Sequence, residues 1–590
     1  MQPAFFFYVL VTNPAPMLKN YLLIAFRSLY KNLGYTSINV FGLAIGLACC
    51  LLVTLYVRFE LSYENFHEHK ASIYRYIPRG ERDGAVSMQT MLPAGFGPLI
   101  KENFHEVEMF SRFSDVDERP LMRVGDTFLD AKTLSMADKD FFRMFSFKLV
   151  QGDVNAVLAR PSTVVISQSI AQKYFPEGNA IGQTIRYDNA YDYEITGVFE
   201  DVPANSHLQF SYVTTFETIA KMVQDRYGFP AERFLGSLDA WNYSTYFYIP
   251  NEKDVNALAK RIDQKFTEAR KETFNDQAMG DWLQPLHEIH FTKGIKADTA
   301  NGDMSYVYIF SAVALMILVI ACFNFMNLST ARAMKRSKEV GLRKVMGAFR
   351  HQLIKQFLGE TVIMVSIAMI LGIIFLELLV PLFNGLVGQH LEIVYFGKNS
   401  LIVFFVLAGL ITGIIAGSYP AFYLSSFAPA TVLKGQAGPS GNAGLRKVLT
   451  VMQFGVAAFL MIGTLIVYQQ MNFIQNSNLG FDKESIVYMT PPAPLWEKRD
   501  VFKQNLLASS HVKSVTFSNG TPGMESSTWQ YDFPGLEIPK RSMNTMIIDY
   551  DYIKTFGLEI VDGRDLSSDF KTDSTEAYLI NEAVVEELML

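Results

Sequence analysis

The sequence predicts a multi-pass α-helical membrane protein with α+β extracytoplasmic domains, and three observations indicate this fold class. Five segments are apolar over about 20 residues, the length that a helix needs to cross the hydrocarbon core of a bilayer. A long region with mixed helix and strand patterns, residues 58–305, separates the first apolar segment from the second. Lysine and arginine collect on alternate connections between the apolar segments, as in chains that cross a membrane repeatedly.

The five apolar segments are predicted to be transmembrane helices, because a helix satisfies its own backbone hydrogen bonds inside lipid. The third segment contains one charged residue, Glu377, and the other four contain none. A carboxylate inside a membrane is costly, so Glu377 either pairs across the helix bundle or reaches water at the outer end of its helix. The predicted spans are residues 35–57, 306–328, 361–383, 400–424 and 448–474.

The distribution of basic residues predicts the orientation of these spans. The connection 329–360 is rich in lysine and arginine, and the segments 1–34 and 425–447 contain basic residues without any acidic one. Since cytoplasmic connections carry the excess of basic residues, these three segments are predicted to be cytoplasmic. The segments predicted to lie outside are residues 58–305, 384–399 and 475–590.

Composition narrows the class of protein further. The chain of 590 residues is 49% hydrophobic and still 19% charged, which indicates soluble regions between the spans. The net charge of -6 is small for this length and argues against binding of nucleic acid. Cys49, Cys50 and Cys322 all lie in apolar segments and form neither a disulfide framework nor a zinc-binding pattern.

An internal sequence repeat occurs once in each of two regions predicted to be soluble. In the first region, residues 162–167, 191–199 and 243–249 have strand patterns, and residues 253–273 have a helical one. The sequence Asp138-Lys-Asp-Phe-Phe-Arg-Met-Phe145, followed by Val150-Gln-Gly152, recurs as Asp549-Tyr-Asp-Tyr-Ile-Lys-Thr-Phe556, followed by Val561-Asp-Gly563. Each copy continues into an apolar segment predicted to be a strand, Val164–Ser167 and Tyr578–Asn581.

The repeat predicts that residues 475–590 are the start of a second, incomplete core domain. We therefore expect the chain to be the first part of a longer protein with further spans, and a natural five-span protein is the alternative. At the other end, residues 1–16 contain an apolar run that is too short to span a membrane and has no basic residue before it. We expect the natural start to be Met17.

Several motifs give the chain a family resemblance. They are Leu61-Ser-Tyr-Glu-Asn-Phe-His67 with Ile73-Tyr-Arg75, Ile195-Thr-Gly-Val-Phe-Glu-Asp-Val-Pro203 with Asn205-Ser-His207, Glu339-Val-Gly-Leu-Arg-Lys344 with Gly347-Ala348, and Gly417-Ser-Tyr-Pro-Ala421 with Leu433-Lys-Gly435. With these motifs, the chain resembles the MacB/FtsX-type ABC transporter permeases, and in particular their tandem-repeat form. The resemblance implies that residues 58–305 are a MacB-like periplasmic core domain and that the protein lies in a bacterial inner membrane.

The connection 329–360 is the candidate coupling segment. Leu342, Met346, Phe349, Leu353 and Phe357 recur at helical spacing and predict one apolar face on a helix over residues 337–357. The resemblance implies that this face binds an ABC ATPase subunit; a basic amphipathic helix resting on membrane lipid is the alternative. The candidate coupling residues are Glu339, Gly341, Leu342, Arg343, Lys344, Met346, Gly347 and Phe349.

Small residues recur at a spacing of four within two spans. Gly42 and Gly46 lie in the first span, and Gly409, Gly413 and Gly417 lie in the fourth. Such residues let helix backbones approach closely in lipid, which predicts helix packing at these positions rather than a gate. Pro420 removes a helix hydrogen bond near the end of the fourth span and is expected to bend it.

The sequence offers no catalytic constellation, cofactor motif or metal set. No Gly-x4-Gly-Lys-Ser/Thr sequence occurs, so a separate ATPase is expected to hydrolyse ATP. His287 and His290 are three residues apart without a third ligand nearby, which is weak support for metal.

Two functions remain open at this point. The first is an export permease for a drug, a peptide or a lipoprotein, with a periplasmic adaptor as a further partner. The second is an FtsX-like transmembrane signalling device that controls a cell-wall hydrolase or a sensor kinase.

Overall fold

The computed structural model divides the chain into two units, Met1–Met461 and Ile462–Leu590, which we describe separately. It describes residues 27, 29–82, 85–117, 119–130, 132–176, 178–239, 241–271, 282–296, 298, 302–388, 391–395, 401–426, 443–489, 491, 495–496, 498–523, 527–533 and 541–588. The expected start at Met17, the motif Leu433-Lys-Gly435 and most of the segment 425–447 lie outside the described residues.

The α-helices of the described residues are numbered in chain order. They are α1 (Leu33–Glu60), α2 (Phe96–Asn103), α3 (Phe141–Phe145), α4 (Gln168–Tyr174), α5 (Phe216–Tyr227), α6 (Ala231–Gly236), α7 (Val255–Lys271), α8 (Met304–Val345), α9 (Arg350–Val387), α10 (Leu401–Ser426), α11 (Ala443–Asn476), α12 (Arg499–Leu507), α13 (Tyr552–Phe556) and α14 (Glu582–Leu588). Two 3-10 helices cover Leu286–Phe291 and Lys571–Ser574.

The strands of the described residues are numbered in the same way. They are β1 (Ile73–Tyr76), β2 (Arg79–Arg82), β3 (Ala85–Gln89), β4 (Leu92–Pro93), β5 (Met109–Asp117), β6 (Met122–Val124), β7 (Thr127–Phe128), β8 (Leu134–Ala137), β9 (Leu149–Gln151), β10 (Thr163–Ser167), β11 (Thr184–Tyr187), β12 (Tyr191–Phe199), β13 (Tyr212–Thr215), β14 (Trp241–Tyr248), β15 (Leu283–Pro285), β16 (Ile295–Lys296), β17 (Ser527–Tyr531) and β18 (Arg541–Thr545).

The five predicted spans are confirmed as helices that are long and apolar enough to cross a membrane. The stretches that meet this description are Leu33–Glu60, Met304–Ala331, Arg350–Val387, Ile402–Phe422 and Lys447–Asn476. Two of the helices extend well beyond the predicted spans: α8 continues to Val345, and α9 begins at Arg350. The apolar runs end earlier than the helices because polar residues can continue a helix outside the hydrocarbon core.

The first four spans form a packed bundle around α1. Leu43, Ala44 and Leu47 of α1 are buried in a cluster with Ala321 and Phe325 of α8, and the same cluster includes residues of α9. Nearer its end, α1 contributes Leu51 and Leu55 to a second cluster with Leu376 and Val380 of α9. Because lipid is as apolar as these side chains, close packing rather than the hydrophobic effect holds the helices together.

The outer domain, which we define as residues 61–303, is built on a mixed β-sheet. Its main strand order is β15-β1-β14-β5-β8-β13-β10-β12-β11-β6-β7, with β4 paired to β14 and β9 paired to β12. Most neighbouring strands are antiparallel, whereas β10 pairs with β12 and β13 pairs with β8 in parallel. The predicted strands and helix agree with β10, β12, β14 and α7.

The core of the outer domain is rich in phenylalanine. Phe141, Phe145 and Phe147 lie in one buried cluster with Phe113 and Phe210. Their rings meet at centroid distances of 5.0–6.1 Å, in edge-to-face, tilted and stacked pairs. This cluster contains α3, the first copy of the repeat, so the repeated sequence supplies the centre of a core rather than a surface motif.

The second unit reproduces the repeated helix but not the following strand. The helix α13 has the length and position of α3, and its residues Tyr552 and Phe556 are buried. The predicted strand at Tyr578–Asn581 is wrong, because these residues have no strand hydrogen bonds. In the outer domain, β10 is a strand because β12 and β13 bind its backbone on both sides. No strand of the described residues pairs with Tyr578–Asn581 in this way.

Candidate functional site

The helix α8 connects the outer domain to the candidate coupling residues without a break. It contains 42 residues, so it is about 63 Å long at a rise of 1.5 Å per residue. Its apolar stretch ends at Ala331, and the part up to Val345 adds about 21 Å beyond that stretch. The far end of α8 therefore projects from the membrane on the side opposite the outer domain.

A tight turn joins α8 to α9 at this far end. The amide of Gly347 donates to the carbonyl of Lys344 at 3.1 Å, and the amide of Ala348 donates to the carbonyl of Arg343 at 3.0 Å. Gly347 has a φ of +96°, so the turn is a Schellman motif with glycine in the left-handed position. The next helix begins at once, and the amide of Phe349 donates to Gln352 Oε1 at 3.0 Å.

Polar and apolar contacts fix the two arms of this hairpin. Arg343 donates to Gln356 Oε1 of α9 at 2.7 Å and forms an ion pair with Glu339 at 2.7 Å. Leu353 and Phe357 of α9 are buried against Val340 of α8 and Ala421 of α10. Burial and the positive charge of Arg350 lower the pKa of Lys344, which indicates a crowded, basic turn.

The turn exposes an apolar surface that we call the hairpin tip: Leu342, Val345, Met346 and Phe349. The exposed fractions of these side chains are 52%, 61%, 71% and 66%. The prediction of a single apolar helical face over residues 337–357 is wrong, because the helix ends at Val345 and Leu353 and Phe357 point into the bundle. Gly341 is buried, whereas Glu339 is exposed beside the tip.

At the other end of α8, four residues from the two ends of the outer domain meet in what we call the junction clamp: Glu60, Tyr63, His290 and Gly302. Glu60 is the last residue of α1, and its Oε2 lies 2.8 Å from Nε2 of His290 in the 3-10 helix. The ring of Tyr63 stacks on the His290 ring at 3.4 Å with an interplanar angle of 8°. The amide of Gly302, just before α8, donates to the carbonyl of His290 at 2.8 Å.

A second buried cluster surrounds Glu64, four residues after α1. His67 Nε2 lies 3.0 Å and His207 Nδ1 2.8 Å from its carboxylate, and the His207 amide donates to it at 2.6 Å. Tyr246 Oη completes the cluster at 2.8 Å from His207 Nε2. Burial opposes the charge of Glu64, but the bonds from His207 and His67 hold its pKa well below the ordinary value.

The Glu64 cluster brings together two distant motifs of the family resemblance. Glu64 and His67 belong to the first motif, and His207 belongs to the second. Asn205 of the second motif also donates to Ser62 of the first, at 3.0 Å to the carbonyl and 2.9 Å to the hydroxyl. The two motifs therefore form one structure at the base of the outer domain.

Comparisons with known proteins match both parts of this architecture. Residues 36–265 match the family described as MacB-like periplasmic core domain, and residues 311–429 match the FtsX-like permease C-terminal family. The first match covers most of the outer domain, and the second contains the hairpin tip.

The chain has the two domains of the MacB/FtsX-type ABC transporter permeases. It is 21% identical over 306 residues to the ABC transporter permease YvrN of Bacillus subtilis, covering 50% of this chain and 68% of YvrN. It is 24% identical over 360 residues to the macrolide export ATP-binding/permease protein MacB of Burkholderia lata, covering 59% of this chain. The match spans 47% of that MacB, so the chain corresponds to about half of the relative's length.

Among solved structures, the chain is similar to the periplasmic region of MacB from Actinobacillus actinomycetemcomitans. The similarity covers 35% of this chain and 94% of that one, at 15% identity and a TM-score of 0.25. Independently of this similarity, the family matches and the five apolar helices indicate a membrane protein with an extracellular α+β domain.

The candidate packing glycines of the permease all face neighbouring helices. A Cβ at Gly46 would lie 2.7 Å from Ala321 of α8, and one at Gly417 would lie 2.9 Å from Thr361 of α9. The Cβ at Gly42 would meet Asn324 of α8, and those at Gly409 and Gly413 would meet α9. The helix α10 continues through Pro420 to Ser426.

The remaining polar candidates have partners inside the permease. Tyr395 donates a hydrogen bond to the carboxylate of Glu377, so this intramembrane acid binds the connection after α9. His290 binds Glu60 rather than pairing with His287, and the described residues contain no group of three that would hold a metal ion.

Sequence reasoning missed the junction clamp and the role of Glu64. Glu60 and His290 are 230 residues apart, and neither position has a distinctive local pattern. The available signal for the Glu64 cluster was the pair of family motifs, which together contain Glu64, His67 and His207.

Proposed function

We propose that this permease couples ATP hydrolysis by a separate ABC ATPase subunit to export, or to movement of a substrate on the periplasmic side of a bacterial inner membrane. The observation that carries the proposal is the hairpin tip. Four exposed apolar side chains project beyond the membrane on a turn whose backbone is fixed by a Schellman motif. A rigid apolar projection of this kind suits a groove on a partner protein.

The tip is tested by the double variant Met346→Asp/Phe349→Asp in permease co-expressed with its ATPase. Each apolar side chain of this size contributes about 1.5–3 kcal/mol when fully buried, so recovery of the ATPase should fall at least tenfold. The measurement is co-purification in detergent without lipid. A tip that only rests on lipid would leave recovery of the ATPase unchanged, and that result would contradict the proposal.

A matched control is available on the outer domain. Phe128 and Tyr227 are exposed by 59% and 72%, which is close to the exposure of the two tip residues. The variant Phe128→Asp/Tyr227→Asp introduces the same charges on the opposite side of the membrane and should retain the ATPase. Purified wild-type permease alone is expected to show background ATP hydrolysis, and activity in a preparation free of ATPase would mean that this chain has its own nucleotide site.

We propose the same orientation that the basic connections predict, with the outer domain in the periplasm and the tip in the cytoplasm. The variants Tyr227→Cys and Met346→Cys place a thiol at each position, because the native cysteines all lie in membrane helices. An impermeant thiol reagent should label only the first variant once the outer membrane is permeabilised. Labelling of the second variant under the same conditions would reverse the orientation.

The proposed substrate is a drug, a peptide or a lipoprotein, and the proposed further partner is a periplasmic adaptor. Relatives named for macrolide export favour a hydrophobic drug as the first compound to test. Cells that express the permease with its ATPase should accumulate less labelled macrolide than cells with the tip double variant. Equal accumulation would remove macrolides from the candidate substrates.

A further inference from the structure

The junction clamp joins three parts of the permease at one buried point. Glu60 is the last residue of α1, His290 belongs to the outer domain, and Gly302 precedes α8. The exposed fractions of Glu60 and His290 are 7% and 5%, so their 2.8 Å contact is shielded from water. A displacement of α1 relative to the 3-10 helix would therefore leave a buried carboxylate without its partner, which is energetically costly.

The contacts around the Glu60–His290 pair leave little room for adjustment. The stacked ring of Tyr63 covers one face of the imidazole. A Cβ at Gly302 would collide with His290 Nε2 and would lie 2.8 Å from Glu60 Oε2. Because only glycine fits here, the chain before α8 packs directly on the pair.

Aromatic contacts extend the same connection into the membrane. The Tyr56 ring of α1 meets Phe310 of α8 at 5.4 Å and Phe383 of α9 at 6.0 Å, both edge to face. Tyr56 lies one helical turn before Glu60 on α1. The outer ends of three membrane helices therefore meet next to the clamp.

The helix α8 places the clamp and the hairpin tip at its two ends. It contains no proline, and its single glycine, Gly341, lies in the last turns before the tip. A helix without an internal break transmits a displacement along its axis rather than absorbing it at a kink.

We propose that Glu60 and His290 are positioning residues for coupling, held in place by Tyr63 and Gly302. They make the outer ends of α1 and α8 and the base of the outer domain move as one body, so that a movement at the tip reaches the outer domain. This inference rests on the proposed function of the tip.

The proposal is tested with spin labels at Tyr227→Cys in the outer domain and Val403→Cys near the start of α10, which is not among the helices that meet at the clamp. Both positions are exposed, by 72% and 63%. In the permease–ATPase complex, the distance between the labels is measured with and without ATP under conditions that block hydrolysis. We expect ATP to change this distance in the wild-type background. The change should be retained in Glu60→Gln, whose amide oxygen still accepts from His290, and should be lost in Glu60→Ala.

Two further variants separate coupling from folding. Gly302→Ala leaves both partners present but pushes the chain off the pair, and it should also abolish the change in distance. Asp138→Asn breaks a buried ion pair elsewhere in the outer domain and should lower stability while retaining the change. In Glu60→Ala and Gly302→Ala, recovery and hydrolysis rate of the ATPase should stay within twofold of the wild type.

The outcomes distinguish this inference from the proposed function. If the wild-type permease fails to bind the ATPase, the proposed function of the tip is contradicted. If the ATPase binds normally but ATP does not change the distance between the labels in the wild type, the proposed role of the clamp is wrong. The proposed function of the tip is then unaffected. An undiminished change in Glu60→Ala or in Gly302→Ala would overturn the role of the clamp as well, and a poorly folded Glu60→Ala leaves Gly302→Ala to decide.

Discussion

The helices α3 and α13 have the same backbone conformation, but different side chains bind the aspartate that precedes each of them. Each is preceded by an aspartate three residues before its first residue, and that aspartate's carbonyl accepts from the first residue of the helix, at 3.0 Å in α3 and 3.2 Å in α13. Each ends in the left-handed conformation, with Ser146 at φ +54° and Gly557 at φ +63°. The following glycines of the repeat, Gly152 and Gly563, have φ of +104° and +83°.

The two copies differ in the cation that holds the aspartate. Arg112 donates from its Nε and Nη2 to both oxygens of Asp138, at 2.9 and 2.6 Å, and the side chains are 3% and 9% exposed. In the second unit, Lys503 lies 2.7 Å from Asp549, and the side chains are 19% and 24% exposed. Planar guanidinium suits a buried two-point contact, whereas the ammonium group is a strongly hydrated point charge. The repeat thus preserves the backbone and the acid, while the cation follows the depth of burial.

The largest difference between the copies is expected for Asp138→Asn and Asp549→Asn. Neutralising Asp138 leaves the Arg112 guanidinium buried without a counter-charge, so the free energy of unfolding of the outer domain should fall by about 3–5 kcal/mol. The partly exposed Lys503–Asp549 pair should lose only about 0.2–1 kcal/mol. Pulse proteolysis in urea, with mass spectrometry to assign the fragments to each unit, measures both. Equal losses would show that burial does not separate the copies.

The glycines of the repeat, Gly152 and Gly563, allow the two copies to be compared by a substitution that changes no charge. A Cβ at Gly152 would lie 2.8 Å from both the Thr196 carbonyl and Val157 Cγ1, whereas one at Gly563 meets nothing within 4 Å. Both glycines have positive φ, so Gly152→Ala adds a steric clash to the backbone strain and should cost about 3 kcal/mol. Gly563→Ala should cost about 1–2 kcal/mol, from strain alone. The proteolysis assay gives both values, and a larger cost at Gly563 would contradict the packing difference.

The parts of the fold that depend on local sequence were predictable. A membrane span is an apolar run of sufficient length, so five spans could be read without knowing what they contact. The repeat at Asp138 and Asp549 was visible because an acid, aromatic residues and a glycine recur at one offset. The prediction of a strand at Tyr578–Asn581 was wrong, since a strand needs neighbours that its own residues do not specify.

The hairpin tip shows where periodicity misleads. Leu342, Met346 and Phe349 keep helical spacing with Leu353, although Gly347 ends the helix between them. The stop was readable, because Arg343 and Lys344 followed by glycine are typical of a helix C-terminus. The junction clamp had no comparable signal, since a single glutamate and a single histidine become partners only through the fold.

The smallest expected difference between the copies concerns alkaline pH. Burial opposes the charge of Lys503, but hydrogen bonds to Asp549 and Asp551 outweigh burial and raise its pKa above the ordinary value of 10.5. The folded state therefore binds this proton more tightly than the unfolded state does. The stabilisation from Lys503 is fully present below pH 10.5 and is lost as the pH rises through the folded-state pKa.

The cation of the first copy is a guanidinium, a group that keeps its charge in proteins. Raising the pH through the folded-state pKa of Lys503 should lower the free energy of unfolding of the second unit by less than about 1 kcal/mol. The Arg112–Asp138 pair before α3 should be retained. Pulse proteolysis with subtilisin, which is active at alkaline pH, compares the wild type with Lys503→Arg. The variant should lose less stability in the second unit than the wild type over this interval, because its cation cannot deprotonate. An identical pH dependence in both proteins would mean that the Lys503 pair contributes nothing measurable. The aspartate of the second copy would then be held by its other hydrogen bonds, from the Thr516 hydroxyl and the Asp551 amide.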